Sequence, residues 1–326
     1  MKKRLLARTS LELSEVGFGC GKLAAIAGPN SALEAGRTVM EAYECGITFY
    51  DTADIYGQGR SEEVLGKAFG STRHSVVIAT KAGYQLGHAA SLGAKLKPVL
   101  KPLIKRFASF RKSLQRAAGQ QRQQDFSREY LIAAIERSLR RLRTDYIDIF
   151  LLHSPDPAAI EDARWAEALE HAKAQGKIRF YGVSCRVAQD AAACMRIPGV
   201  SCVQVPVSLI ERDGIDSLLN ASTVANFGVL ARQGLASGML AKPPAALYAE
   251  DFPWGREEFE ERLAKIRAIP NLGDSASSCV QAALRYVFQL KGVGSVILGM
   301  SSREHLRQNL LAVAEAAAVG ATSNHV

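Results

Sequence analysis

Short apolar runs that end in a polar residue recur along this chain, and segments of helical spacing lie between them. Val76-Val77-Ile78-Ala79-Thr80, followed by Lys81, is the clearest. An unbroken β-prone run of this kind suits a parallel strand covered on both faces, whereas a half-exposed strand would alternate. Further strands are predicted at Ile47–Tyr50, Tyr146–Leu152, Ile178–Val183, Val203–Val205, Phe227–Ala231 and Gly294–Leu298, with a first strand closing in Phe18-Gly19-Cys20-Gly21. Helices are predicted between them: Ser31 to Cys45, Ser61–Phe69, Ser127 through Arg143, Glu161–Ala174, Ala188–Met195, Ile215–Leu219, Glu257–Ile266, Ser275 to Leu290, and a last one capped by Ser302. Residues 4–18 read as a hairpin turned at Arg8-Thr9-Ser10.

Eight strands alternating with helices call for a parallel sheet. Over 326 residues without an internal linker, closure into a (β/α)8 TIM barrel fits better than an open sheet. The expected fold is therefore α/β, a single barrel domain over 1–326 with an N-terminal β-hairpin and a helical insertion after the third strand. A doubly wound fold would place GxGxxG after its first strand, and Gly17-Phe18-Gly19-Cys20-Gly21 lacks the last glycine and the helix behind it.

The charge excess of +9 has a local source. Nine lysines and arginines and no acid lie between Ala82 and Gln124 (Lys95, Lys97, Lys101, Lys105, Arg106, Arg111, Lys112, Arg116 and Arg122), and the rest of the chain balances its 32 acidic residues. A high pI confined to one segment argues against nucleic-acid binding by the whole protein. The apolar runs fall short of the ~20 residues of a membrane span. The basic start at Met1-Lys2-Lys3-Arg4 is not followed by a signal-peptide core, so a cytoplasmic location is expected. Six cysteines show neither a CxxC pair nor zinc-finger spacing, and read as buried thiols with no metal site.

Asp51, Lys81, His153, Ser184, Gln204 and Arg232 each fall at or near the C-terminal end of a different predicted strand. One such residue has an ordinary explanation as a cap or a solvated strand end. Several together are another matter, because a barrel gathers those ends on one face, where active sites lie. Tyr56 follows Asp51 by five residues on the adjoining loop. A phenol, with a pKa near ~10, needs a neighbouring ammonium to stabilise its anion, and a carboxylate can hold that ammonium in place. Asp51, Lys81 and Tyr56 supply that trio, and His153 could orient a carbonyl oxygen. This chemistry suits carbonyl reduction but lacks an electron source, so a hydride-donating cofactor is implied.

Tyr50-Asp51-Thr52-Ala53-Asp54-Ile55-Tyr56-Gly57, Ser61-Glu62-Glu63-Val64-Leu65-Gly66, Thr80-Lys81 and Asp145 through His153 resemble the aldo-keto reductase superfamily. Gly182-Val183-Ser184, Gln204 through Leu209, Leu235 through Leu240 and Val296-Ile297-Leu298-Gly299 extend the resemblance in unbroken order over nearly the whole chain. It implies the barrel already inferred, an NAD(P)H-dependent enzyme of the EC 1.1.1 type, and NADP(H) as cofactor, with NAD(H) not excluded. By position it makes Tyr56 the general acid/base, Lys81 its pKa modulator, Asp51 the partner of Lys81 and a cofactor contact, and His153 the residue that orients substrate. Ser184 and Gln204 would hold the nicotinamide carboxamide. Cys185 stands where the family usually has an asparagine on that group, and Arg232 where it usually has an aromatic residue against the ring. Gln233, Leu235 and Ser237 would line the pyrophosphate, and Gly299, Met300, Ser301, His305, Gln308 and Asn309 the adenosine end. Many members place a lysine on the 2′-phosphate near Gly299; here Arg303, His305 or Arg307 is left for that role.

Residues 84–126 carry the basic charge and an apolar stripe at helical spacing, including Leu96, Leu100, Leu103, Phe107, Phe110 and Leu114. A lid over the catalytic face is one reading, and peripheral contact with an anionic membrane through 95–116 is another. The expected partner is a small carbonyl or alcohol substrate, with no nucleic acid, and the chain is expected to be a monomer or weak oligomer. The resemblance also admits a second class of function, an NADP(H)-binding redox-sensing regulatory subunit with little turnover.

Overall fold

The structure, a computed structural model, describes residues 1–23, 29–85 and 123–322. Eight parallel strands close into a barrel: β3 (Val16–Gly19), β4 (Phe49–Asp51), β5 (Val77–Ala82), β8 (Ile147–His153), β9 (Ile178–Ser184), β10 (Cys202–Pro206), β11 (Gly228–Arg232) and β12 (Val293–Gly299), the last pairing back onto β3. The order around the barrel is the order in the chain, as expected when each crossover is a short helix returning to the next strand. Several strands run one or two residues further than predicted, so Asp51, Lys81, His153, Ser184 and Arg232 are strand residues rather than residues just beyond strands.

Hairpin β1 (Lys3–Leu5) with β2 (Glu12–Ser14) closes the N-terminal mouth. Its Leu6, Leu11 and Leu13 are buried with Phe49, Ala79, Ile149, Leu151, Cys202, Leu230 and Ile297, the side chains that fill the barrel. Burying a leucine of this kind is worth roughly 1.5–3 kcal/mol, so the plug is part of the core. Leu6 fits only because Gly228 and Gly294 lack side chains, since a Cβ there would come within 2.8 and 2.9 Å of its Cδ1.

The helical ring follows the predicted apolar faces. Helix α1 (Pro29–Glu44) ends before Gly46, whose φ of 87° only glycine adopts freely. Helix α2 (Arg60–Phe69) packs on α3 (Arg128–Leu142), which Ser127 caps by accepting from the Tyr130 N–H. The predicted helix Glu161–Ala174 is instead two, α4 (Pro157–Asp162) and α5 (Trp165–Ala174). Asp156 caps an earlier start at Pro157, and Ala163 breaks the run with a φ of 50°. The Trp165 indole donates to the Ala159 carbonyl across that break.

Helices α6 (Ala188–Cys194) and α7 (Ile215–Val224) precede β10 and β11. After β11, 3-10 turns and helices α8 (Arg256–Arg267) and α9 (Ala276–Gln289) form an excursion over their own apolar cluster, which includes Met239, Leu240, Phe259, Leu263 and Cys279. Helix α10 (Arg303–Thr322) ends the described chain. Among the described residues no helix is long and apolar enough to cross a membrane. Of the predicted insertion 84–126, only its two roots are described: β6 (Tyr84–Gln85) and β7 (Gln123–Gln124) pair antiparallel. The apolar stripe and the basic residues of 95–116 lie outside the described residues.

Candidate active site

The C-terminal rim of the barrel brings Asp51, Lys81, His153, Ser184, Gln204 and Arg232 from six different strands to one mouth, and Tyr56 joins them from the loop after β4. Lys81 is buried with its Nζ 2.7 and 2.8 Å from the two oxygens of Asp51, and it also donates to the Thr52 carbonyl at 2.8 Å. Gln204 Nε2 donates to Asp51 Oδ1 at 2.7 Å, and the Ser184 hydroxyl donates to Gln204 Oε1 at 2.9 Å. One chain of bonds therefore runs Ser184, Gln204, Asp51, Lys81 and joins four strands of the rim. Burying such an ion pair is favourable only when its remaining donors and acceptors are satisfied, and here they are.

Lys81 Nζ lies 5.2 Å from the centre of the Tyr56 ring, and that ring meets His153 edge-on at 5.9 Å. Burial pushes the Tyr56 phenol above its usual pKa, with Lys81 pulling it back. Burial also works against the Lys81 ammonium, but Asp51 and Tyr56 together more than offset this and the net shift is upward. Both groups thus hold their protons firmly at neutral pH.

Arg232 closes the mouth from β11. Its Nη2 donates to the Cys185 carbonyl at 2.9 Å, while its buried Nε has no partner among the described residues. Cys185 offers the site only its backbone. Its thiol is fully buried 3.8 Å from Cys194, in the packing behind the strand. Gln233, Ala236, Ser237 and Gly238, on the turn after β11, all have positive φ, which folds the backbone tightly around Leu235. At the end of β12, Gly299 has open space where a side chain would stand, and Met300 is buried in the core. Ser301 bonds His305 at 2.8 Å, Gln308 reaches Glu304 at 3.2 Å, and Asn309 donates to the Gly299 carbonyl at 3.2 Å. Arg303 and Arg307 both bind Glu41 of α1, the latter at 2.8 Å.

The sequence pattern missed several groups at this mouth. Tyr84, at the root of the insertion, meets His153 edge-on at 5.0 Å, and Gln124 donates to the His153 and Ser154 carbonyls. Behind the catalytic loop, fully buried Glu62 accepts from Thr80 at 2.6 Å and from Arg141 at 2.6 Å. It ties the helix after Tyr56 to the strand that carries Lys81. Asp54 lies beside this pair with a buried Oδ1 that has no hydrogen bond, and burial, reinforced by Glu62, lifts its pKa to about 7. Among the described residues, no three His, Cys, Asp or Glu side chains gather as they would around a metal ion.

The rim residues suit a nicotinamide cofactor. Ser184 and Gln204 present hydroxyl and amide groups side by side at the buried end, Arg232 has an unsatisfied N–H, and Gly299 leaves an open cradle at the other end. The family model described as Aldo/keto reductase family matches residues 15–318. The chain is 31% identical over 317 residues to the oxidoreductase YqkF of Bacillus subtilis (strain 168), an alignment covering 96% of this chain and 91% of that protein. It is 29% identical over 330 residues to L-galactose dehydrogenase of Arabidopsis thaliana, covering 97% and 89% respectively. Among solved structures, the holo form of aldo-keto reductase AKR11C1 from Bacillus halodurans matches with a TM-score of 0.72 at 27% identity, over 96% of this chain and 91% of that one. The match spans the barrel and every strand that feeds its rim, and on that ground the chain belongs to the aldo/keto reductase family of nicotinamide-dependent oxidoreductases.

Proposed function

We propose that this protein interconverts a carbonyl and an alcohol using NADP(H), with Tyr56 as the general acid/base. The carrying observation is the buried Lys81, held by both oxygens of Asp51 with its ammonium 5.2 Å from the Tyr56 ring. A bound reduced nicotinamide supplies the hydride. The protein's own work is to position and to move a proton. Tyr56 donates its hydroxyl proton to the oxygen of the carbonyl being reduced. Lys81 stabilises the phenolate left behind, and Asp51 keeps Lys81 in place. His153, braced by Tyr84 and Tyr56, orients the substrate oxygen. Ser184, Gln204 and Asp51 hold the carboxamide edge, and Arg232 closes the mouth beside it.

NADP(H) rather than NAD(H) is the family's usual choice, and Arg303, Arg307 and His305, on the helix after β12, are the residues left to meet a 2′-phosphate. The complete set of Asp51, Tyr56, Lys81 and His153 favours an enzyme over a redox-sensing subunit. The test is Tyr56→Phe. Reduction of a carbonyl panel, followed by absorbance, should fall by about 10²–10⁴-fold, the share a positioned acid supplies. NADPH binding, followed by fluorescence, should persist. Turnover that survives in Tyr56→Phe would refute the role of Tyr56, and tight cofactor binding without any Tyr56-dependent turnover would favour the regulatory reading.

A further inference from the structure

The charges at the rim do not cancel. Lys81 and Asp51 form a close pair with no net charge, and Arg232 is left as an additional cation in the same mouth. Among the described residues no carboxylate comes within ion-pair distance of its guanidinium, although Asp51 and Glu211 act on its charge from further off. One N–H meets a backbone carbonyl, and the Nε is buried with no partner among the described residues. Guanidinium remains protonated in proteins even where burial lowers its pKa, as it does here. The family pattern puts an aromatic ring at this position, whose negative face would favour a cation. A guanidinium does the reverse.

Loss of a hydride turns a neutral dihydronicotinamide into a positively charged ring. We infer that Arg232 makes this site discriminate between the redox states of its cofactor, binding the reduced form and rejecting the oxidised one. The inference rests on the nicotinamide reading above, and it extends that reading to which form is held. Two like charges in one desolvated mouth move a binding ratio by about tenfold or more. The consequence for turnover is rapid loss of the oxidised cofactor after carbonyl reduction, and poor binding of the form needed for alcohol oxidation.

The test is binding, with no turnover. Dissociation constants for NADPH and NADP⁺, and for NADH and NAD⁺, are measured on the wild-type chain by fluorescence and calorimetry. The wild type should hold the reduced form at least about tenfold more tightly. In Arg232→Gln that ratio should fall by about tenfold, chiefly because the oxidised form binds better, and in Arg232→Lys it should be kept. An unchanged ratio in Arg232→Gln, with both forms binding, would overturn the inference. A second measurement needs no variant. ADP-ribose 2′-phosphate lacks the ring altogether, and it should bind the wild type at least as tightly as NADP⁺. If NADP⁺ binds about tenfold more tightly than this fragment, the oxidised ring is welcome and the inference fails. If neither the cofactors nor the fragment bind the wild type, the cofactor reading itself is wrong and the inference falls with it.

Discussion

Asp54→Asn should stabilise the fold, and by more at high pH than at low. Asp54 is enclosed beside Glu62, its Oδ1 has no hydrogen bond, and its pKa rises from 3.8 to about 7. Burial is the main cause and Glu62 the second, while Arg141 and Arg137 pull weakly the other way. A carboxyl whose folded pKa lies above its unfolded one contributes stability at low pH and loses it as pH rises through the folded value. Here the loss begins near pH 4 and is complete just above pH 7. At ~1.36 kcal/mol per pH unit, holding Asp54 protonated costs the fold roughly 1.5 kcal/mol at pH 5, and by pH 8, where the enclosed carboxylate ionises, the loss reaches roughly 4. These are ceilings, because Asp54 is not wholly enclosed. Asparagine has the same shape and no charge, so the gain of Asp54→Asn over wild type in urea unfolding should grow by about 2 kcal/mol from pH 5 to pH 8. A difference that is flat with pH, or an asparagine variant less stable than wild type at pH 8, would refute the reasoning.

The raised pKa of Tyr56 keeps its proton in place through neutral pH, so carbonyl reduction should be insensitive to pH there and decline only on the alkaline side. Alcohol oxidation needs the phenolate and should rise with pH over the same range, as paired pH–rate profiles would show. Glu41→Gln should free Arg303 and Arg307 from their shared carboxylate and raise the preference for NADPH over NADH severalfold, read as the ratio of the two KM values. Asp148 is buried between Arg73 at 2.6 Å and Arg179 at 2.9 Å and also accepts from the Ile78 N–H at 3.0 Å. Asp148→Ala leaves Arg73 enclosed without its anion and should cost about 3–5 kcal/mol in denaturant unfolding.

The barrel was legible because its evidence is local. A strand buried on both faces must be apolar throughout, so Val76–Thr80 and Ile147–Leu152 announce themselves within a few residues. The rim was legible for the same reason. Once the strands are parallel, their C-terminal ends must converge, and Asp51, Lys81, His153, Ser184, Gln204 and Arg232 need no further information to be placed together. Helix breaks were less legible. The turn at Ala163 is spanned by Trp165 reaching back to Ala159, a contact that spacing does not encode.

What the chain determined by itself was which side chains stand at the mouth and what chemistry their types allow. Which of them touch was decided by the closed barrel. Glu62 looked like an ordinary first-turn acid until Arg141, 79 residues away, was packed against it. Arg303 and Arg307 looked like free cations until α10 was laid against Glu41 on α1. Asp54 and Arg232 acquire their character only from enclosure. A charge costs little in water and much in a dry pocket, and whether the pocket is dry is a property of the whole fold.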